Sequence, residues 1–170
     1  MDRTTQSFSQ TLLKDAFARL LNTTGLSTIT VQNLSRTAGI NRSTFYRHFD
    51  NMDGFIDWFK EQMLDEIVDQ FKSTEDGNID FESFYQYALQ NRKILDALLG
   101  WQGFIFQLRL RAIKKNAQLL KIRQSEIPSE VQAVFLVGGH ISLLHWWISQ
   151  KNPPSPKTMA KYNQLLSIPR

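Results

Sequence analysis

Apolar residues recur at three- and four-residue spacing along most of the 170-residue chain, the periodicity of amphipathic helices. No run of four or more residues alternates cleanly between apolar and polar with hairpin signals at its ends, so the pattern predicts an all-α fold of about nine helices. The first helix spans residues 9–23, with Leu13, Ala16, Phe17 and Leu20 on one stripe and Gly25 as its stop. Thr30 is placed to cap a short helix ending near Ala38, and Asn41 to cap a third covering residues 42–49. Gly39 lies between them, where a tight turn needs backbone freedom and two helices come close. Three short helices in fifty residues, the last two joined by a four-residue turn, make a helix-turn-helix pattern. A longer fourth helix starts at Asp50 or Asn51 and runs to about Lys72 on the stripe Ile56, Phe59, Met63, Ile67 and Phe71, broken by the polar segment 73–78. Helices over residues 81–90, 92–99, 104–124, 129–150 and 156–167 follow, the break after the eighth made by Pro153 and Pro154.

The sharpest signal is the segment 30–49, TVQNLSRTAGINRSTFYRHF. Its third helix offers Arg42, Ser43, Thr44, Tyr46, Arg47 and His48 as donors to phosphates and base edges, while Phe45 and Phe49 face the first helix. This segment resembles the TetR (tetracycline-repressor-like) family of transcription regulators nearly residue by residue. The resemblance implies that Arg42, Ser43, Thr44 and Arg47 lie in the major groove of double-stranded DNA. It also implies that Thr30, Tyr46 and His48 hold phosphates and that Gln32 reaches a base. Geometry allows Arg42 to read guanine and Gln32 adenine in bidentate fashion, each worth about 1–3 kcal/mol of discrimination. One position departs from the family: Met52 stands where a lysine usually contacts a phosphate at the start of the fourth helix, which removes about one counterion from the salt dependence.

Beyond about residue 60 the resemblance fades. The tail, FLVGGHISLLHWWI at 135–148 followed by NPPSPKTMA at 152–160, looks like the end of a short-chain TetR subgroup that includes regulators of dihydroxyacetone kinase operons. Residues 1–50 are read as the DNA-binding domain and 51–170 as a helical regulatory and dimerisation domain, with 51–72 as the connecting helix. The helix at 129–150 is apolar nearly all round and must be buried on two sides. One side suits its own core and the other a twin chain, so Val134, Phe135, Gly138, Ile141 and Trp147 are expected at a homodimer interface. Family architecture places an unidentified small-molecule inducer among aromatic side chains, with Trp58, Phe59, Met63, Phe84, Tyr85, Trp101, Phe104 and Phe106 as candidates to line its pocket.

Charge adds a segmentation that the net value of +4 conceals. Residues 1–50 carry +3, residues 51–100 carry −7 and residues 101–170 carry +8. On the fourth helix Asp57, Glu61, Asp65 and Asp69 repeat every four residues beside Glu66. That face is read as solvated, as paired with the basic helix carrying Arg109, Arg111, Lys114, Lys115, Lys121 and Arg123, or as a cation site; without converging oxygen ligands it is not assigned a metal. His140 and His145 are five apart, off a common helix face, and read as buried hydrogen-bonded residues and not as a metal pair.

Absence of cysteine removes disulfides, thiolate metal sites and a cysteine nucleophile. No nucleophile-base constellation, phosphate loop or paired-histidine zinc motif occurs, so an enzyme is not expected and no cofactor is implied. The start lacks the apolar core of a signal peptide. The stretch 131–148 is interrupted by Gln132, His140, Ser142 and His145, short of the unbroken run of about 20 apolar residues that a membrane span needs. The sequence thus predicts a cytoplasmic, ligand-responsive, homodimeric DNA-binding regulator, read as a repressor of a near-palindromic operator. The alternative is a TetR-like interaction module or coactivator acting through a partner protein.

Overall fold

The structure is a computed structural model and describes residues 7–24, 26–72, 79–121 and 126–167; the expected stop at Gly25, the break at 73–78 and Arg123 lie outside the described residues. Among the described residues there are nine α-helices and no strand. They are α1 (Phe8–Thr23), α2 (Val31–Ala38), α3 (Arg42–Tyr46), α4 (Met52–Asp69), α5 (Phe81–Gln90), α6 (Arg92–Leu99), α7 (Gln102–Leu120), α8 (Ser129–Ser149) and α9 (Pro156–Ser167). A short 3-10 turn, Leu26–Thr28, precedes α2 and was not predicted. The all-α expectation holds. The chain divides into two compact units, Met1–Gln62 and Met63–Arg170, with the division falling inside α4.

In the first unit the helix ends are closed by short polar side chains. Ser7 caps α1 and exchanges reciprocal hydrogen bonds with Gln10, and Thr30 does the same for α2 with Asn33. Asn41 precedes α3 in an extended conformation and makes no side-chain cap bond. The carbonyl of the Asn51 side chain accepts from the Gly54 N–H at 2.9 Å and so supplies the cap of α4. The core is an aromatic cluster. Phe17 meets Phe55 and Phe59 edge-on at centroid distances of 5.1 and 4.7 Å, and Phe45 and Phe49 from the end of the helix-turn-helix join the same group.

Gly39 closes α2 at φ 70°, the left-handed region. A Cβ built there meets nothing within 4 Å. The expected close helix approach is therefore not what requires glycine; the backbone conformation is. Gly39→Ala is expected to cost about 1–2 kcal/mol through this strain alone, read as a lowered midpoint in urea unfolding. An unchanged midpoint would contradict that account.

In the second unit α5 packs on α9, α8 packs on α6 and α7, and α6 also packs on α7. Trp147 is fully buried, meets the Tyr85 ring edge-on at 5.0 Å and donates its indole N–H to the Pro154 carbonyl. Arg92, in the first turn of α6, donates to the carbonyls of Ile148 and Gln150. A cation on the carbonyl end of α8 satisfies orphan acceptors where the helix dipole is negative. By length and composition α8 does reach what a membrane crossing needs, a correction to the reading of its sequence. Its Ala133, Val137, Ile141, Leu144, Trp147 and Ile148 nevertheless form the chain's own core, the behaviour of a core helix.

Candidate DNA-reading surface

The residues singled out in the helix-turn-helix fall on α2, α3 and the turns around them. Phe45 is fully buried and Phe49 nearly so, which fixes the opposite side of α3 outward. Thr30, Gln32, Arg42, Ser43, Tyr46 and Arg47 are exposed, and Thr44 and His48 are half-buried. The helix proper ends at Tyr46, earlier than the predicted Phe49, and its backbone bonding continues as turns, with the Phe49 N–H donating to the Phe45 carbonyl at 3.0 Å. The chain continues into α4 without a long linker.

Local contacts restrain several of these side chains. The guanidinium of Arg47 donates to the Thr44 hydroxyl at 3.4 Å. Tyr46 lies edge-on to Phe45 at 5.4 Å, which leaves its hydroxyl end outward. His48 Nε2 is 3.5 Å from the Ser7 hydroxyl, so the same serine that caps α1 also sits beside a candidate phosphate ligand. Thr30 is doubly employed, because its hydroxyl is the cap acceptor of α2. Sequence reasoning missed Arg19, which donates to the Thr37 carbonyl and ties α1 to α2; a single exposed arginine on an amphipathic helix gives no signal for such a bond. Met52 opens α4 half-buried, an apolar residue where a phosphate contact was considered.

The expected ligand-lining aromatics do not act together. Phe59 belongs to the Phe17 cluster of the first unit, and Trp58 packs on Phe49 and Phe55 at 5.2 and 5.8 Å. Phe84 stacks on Phe71, and Tyr85 is closed in by Phe84 and Trp147. Met63 and Phe104 are buried, Trp101 is half-buried and Phe106 is 60% exposed. None of the eight lines either of the two described grooves, which lie instead between α8 and α9. The physical reason is ordinary: large rings at helical spacing filled the core.

The interface expectation also needs correction. Ile141 and Trp147 are spent on the chain's own core, because they lie on the side of α8 that faces α5 to α7 and α9. Val134 and Phe135 are exposed, Phe135 at 79%, and Val131, Trp146, Tyr162, Leu165 and Leu166 extend the same apolar surface along α8 and α9. A Cβ at Gly138 or Gly139 would meet nothing within 4 Å, so neither glycine serves close packing within this chain.

Of the acidic repeat, Asp65 pairs with Arg111 at 2.7 Å and Asp57 with Lys60 at 2.9 Å. Among the described residues no group of histidine and carboxylate side chains could hold a metal ion. Burial first, then the charge of Glu66, pushes the Tyr87 hydroxyl above the usual tyrosine range. His145 is exposed, contrary to expectation, whereas His140 is buried, with Nε2 3.2 Å from the Ser167 hydroxyl and its ring edge-on to Phe81. Burial lowers its pKa from 6.5 to about 4. Between those values the unfolded chain takes up a proton that the folded chain refuses, so stability falls as pH drops from about 6.5 to about 4 and this loss ends below it. Complete expression of that shift corresponds to about 3 kcal/mol. His140→Phe is expected to flatten this part of the pH-stability curve, measured by urea unfolding between pH 7 and pH 4; an unaltered slope would contradict it.

Residues 13–57 match the family described as bacterial regulatory proteins, tetR family. The HTH-type transcriptional regulator AlkX of Mycobacterium tuberculosis is 34% identical over 76 residues, 45% of this chain and 35% of that protein. The HTH-type dhaKLM operon transcriptional activator DhaS of Lactococcus lactis is 27% identical over 108 residues, 64% of this chain and 51% of that protein. The chain thus spans about a third and about half of the length of these curated relatives. Among solved structures, a TetR transcriptional regulator from Streptococcus agalactiae 2603V shares the fold at TM-score 0.65 and 24% identity, over 95% of this chain and 94% of the other. The dihydroxyacetone kinase operon activator DhaS does so at TM-score 0.71 and 17% identity, over 94% of each chain.

Proposed function

Because the chain belongs, by its N-terminal domain, to the TetR family of bacterial regulatory proteins, we propose that it is a cytoplasmic, ligand-responsive repressor that binds a near-palindromic operator as a homodimer. One observation carries the reading: the buried Phe45 and Phe49 turn Arg42, Ser43, Tyr46 and Arg47 outward together on a five-residue helix. Such a helix presents its first residues to base edges in the major groove while neighbouring side chains hold phosphates. Arg42 and Gln32 carry base discrimination in this reading, and Thr30, Tyr46 and His48 carry the backbone contacts. Two copies would place paired α3 helices in successive major grooves, about 34 Å apart.

Dimerisation is supported by the apolar surface that α8 and α9 leave uncovered, from Val131 and Phe135 to Leu165 and Leu166. A surface of that kind on a water-exposed protein marks an association site. Induction then requires a ligand that binds the non-reading geometry of the dimer better than the reading one, since equal affinity shifts no equilibrium.

Arg42→Ala is expected to weaken binding to the operator about tenfold and to relax the preference for guanine at one position of each half-site, in agreement with about 1–3 kcal/mol per bidentate contact. Tyr46→Phe is expected to weaken binding to all sequences alike, because a phosphate contact carries no sequence information. Competition titrations with single-base operator variants separate the two. An Arg42→Ala protein with undiminished affinity and selectivity would contradict the assignment of the reading residues.

A further inference from the structure

A groove of about 710 Å³ runs between α8 and α9, floored by His140, Asn163 and Ser167 and walled by apolar side chains such as Leu143, Trp146 and Leu166. A second groove of about 370 Å³ shares Phe135, Leu136, Leu166 and Ser167 with it, so the two form one continuous channel. The larger volume falls in the range of about 300–1,000 Å³ found for small-molecule sites. Gly138 and Gly139 widen it, since no atom occupies the space that a Cβ would take at either position.

The hydrogen bonding of the floor defines what could bind. The Ser167 hydroxyl donates to the Asn163 carbonyl at 2.7 Å, so its oxygen is left to accept from His140 Nε2–H. That fixes the neutral imidazole with its proton on Nε2 and leaves Nδ1 as a bare acceptor. Asn163 donates its amide to the Tyr85 hydroxyl, and its own side-chain oxygen is bare as well. Neither His140 Nδ1 nor Asn163 Oδ1 has a hydrogen-bond partner, although Asn163 is 1% and His140 7% exposed. Buried acceptors without donors cost free energy that a donor would return. The Ser142 hydroxyl is committed to the Gly138 carbonyl at 2.8 Å and supplies no free donor in their place.

We propose that this groove is a binding site for a neutral apolar alcohol, whose hydroxyl groups donate to His140 Nδ1 and Asn163 Oδ1 while its hydrocarbon body lies along α8 and α9. No Lys, Arg, Asp or Glu lines the groove. A carboxylate would meet two acceptors and no cation, and an ammonium would find no counter-charge. The groove lies within the surface proposed for self-association, so a second copy closes over the bound alcohol and ligand and dimer are linked. That regulatory consequence rests on the dimer reading, whereas binding itself does not.

The test uses the whole chain without DNA, titrated calorimetrically with 1,2-decanediol, with its dimethyl ether and with decanoate, while sedimentation follows the oligomeric state. The diol is expected to bind saturably, and at least about tenfold more tightly than either the ether, which only accepts, or the anion. His140→Phe keeps the volume and removes one acceptor, and is expected to weaken the diol about fivefold or more while leaving the ether unchanged. Gly139→Leu fills the open space and is expected to abolish diol binding in a protein that still melts cooperatively. Equal binding of the three probes, or full diol affinity in the Gly139→Leu protein, overturns the proposal. So does a Gly139→Leu protein that loses self-association when the parent chain binds no diol, because the groove then holds a second copy only. A chain that binds the diol as described but ignores operator DNA would retain the site and remove the regulator reading alone.

Discussion

Phe45→Ala is expected to unfold the reading unit at temperatures where the rest of the chain stays helical, and to abolish DNA binding with it. The side chain is completely buried and touches three other rings, those of Tyr46, Phe49 and Phe55, at centroid distances of 5.4, 5.5 and 5.9 Å. Truncation of a buried phenylalanine costs about 3–5 kcal/mol, because the lost transfer energy is joined by the cavity left behind. In a unit as small as Met1–Gln62, that lowers the melting temperature by about 12 °C or more. Calorimetric melting checks it, with Tyr46→Ala as the companion variant. Tyr46 is 48% exposed, so its loss should weaken DNA binding with little change in melting. A Phe45→Ala shift below about 4 °C would mean that α3 is held by something other than this aromatic cluster.

The second large effect is expected at the other end of the chain. Phe135→Glu should convert the dimer to monomers, weakening self-association about a hundredfold or more, because a carboxylate carried into an apolar interface is left without a partner. The folded single chain should hardly notice, since Phe135 is already turned outward. Sedimentation at several concentrations together with circular dichroism reads both quantities. Unchanged dimer mass would remove α8 from the interface, and a loss of helicity would show that the side chain serves the fold.

Helix positions and the reading surface were legible in the chain because both follow from local chemistry. Thr30 and Asn33, Gly39, and the apolar pair Phe45 and Phe49 each state a cap, a turn or a buried face within a few residues of where it is used. The ends of α4 and α7 were less legible, since the helical pattern continues past Asp69 and Leu120 while the helices stop there. Choices between partners of the same kind were not legible at all. Whether Trp147 or Phe135 faces the core depends on how α5, α7 and α9 surround α8, and an all-round apolar helix does not encode that. The aromatic residues taken for a pocket illustrate the same limit, because Trp58 and Phe84 satisfy helical spacing equally well as core. The donor-poor floor of the α8–α9 groove was invisible for another reason: Asn163 and Ser167 sit on a polar-rich final helix, where buried and solvated residues look alike.

The account stands on sequence-selective DNA binding, and the most direct measurement is fluorescence-anisotropy titration of the purified chain against DNA from upstream of its own gene and against a scrambled duplex, at two salt concentrations. It predicts tight binding to the upstream DNA only, two chains per site, and an affinity that falls steeply with salt as phosphate counterions are released. Weak binding, equal on both duplexes, would contradict it and leave the chain as an interaction module that acts through a partner protein.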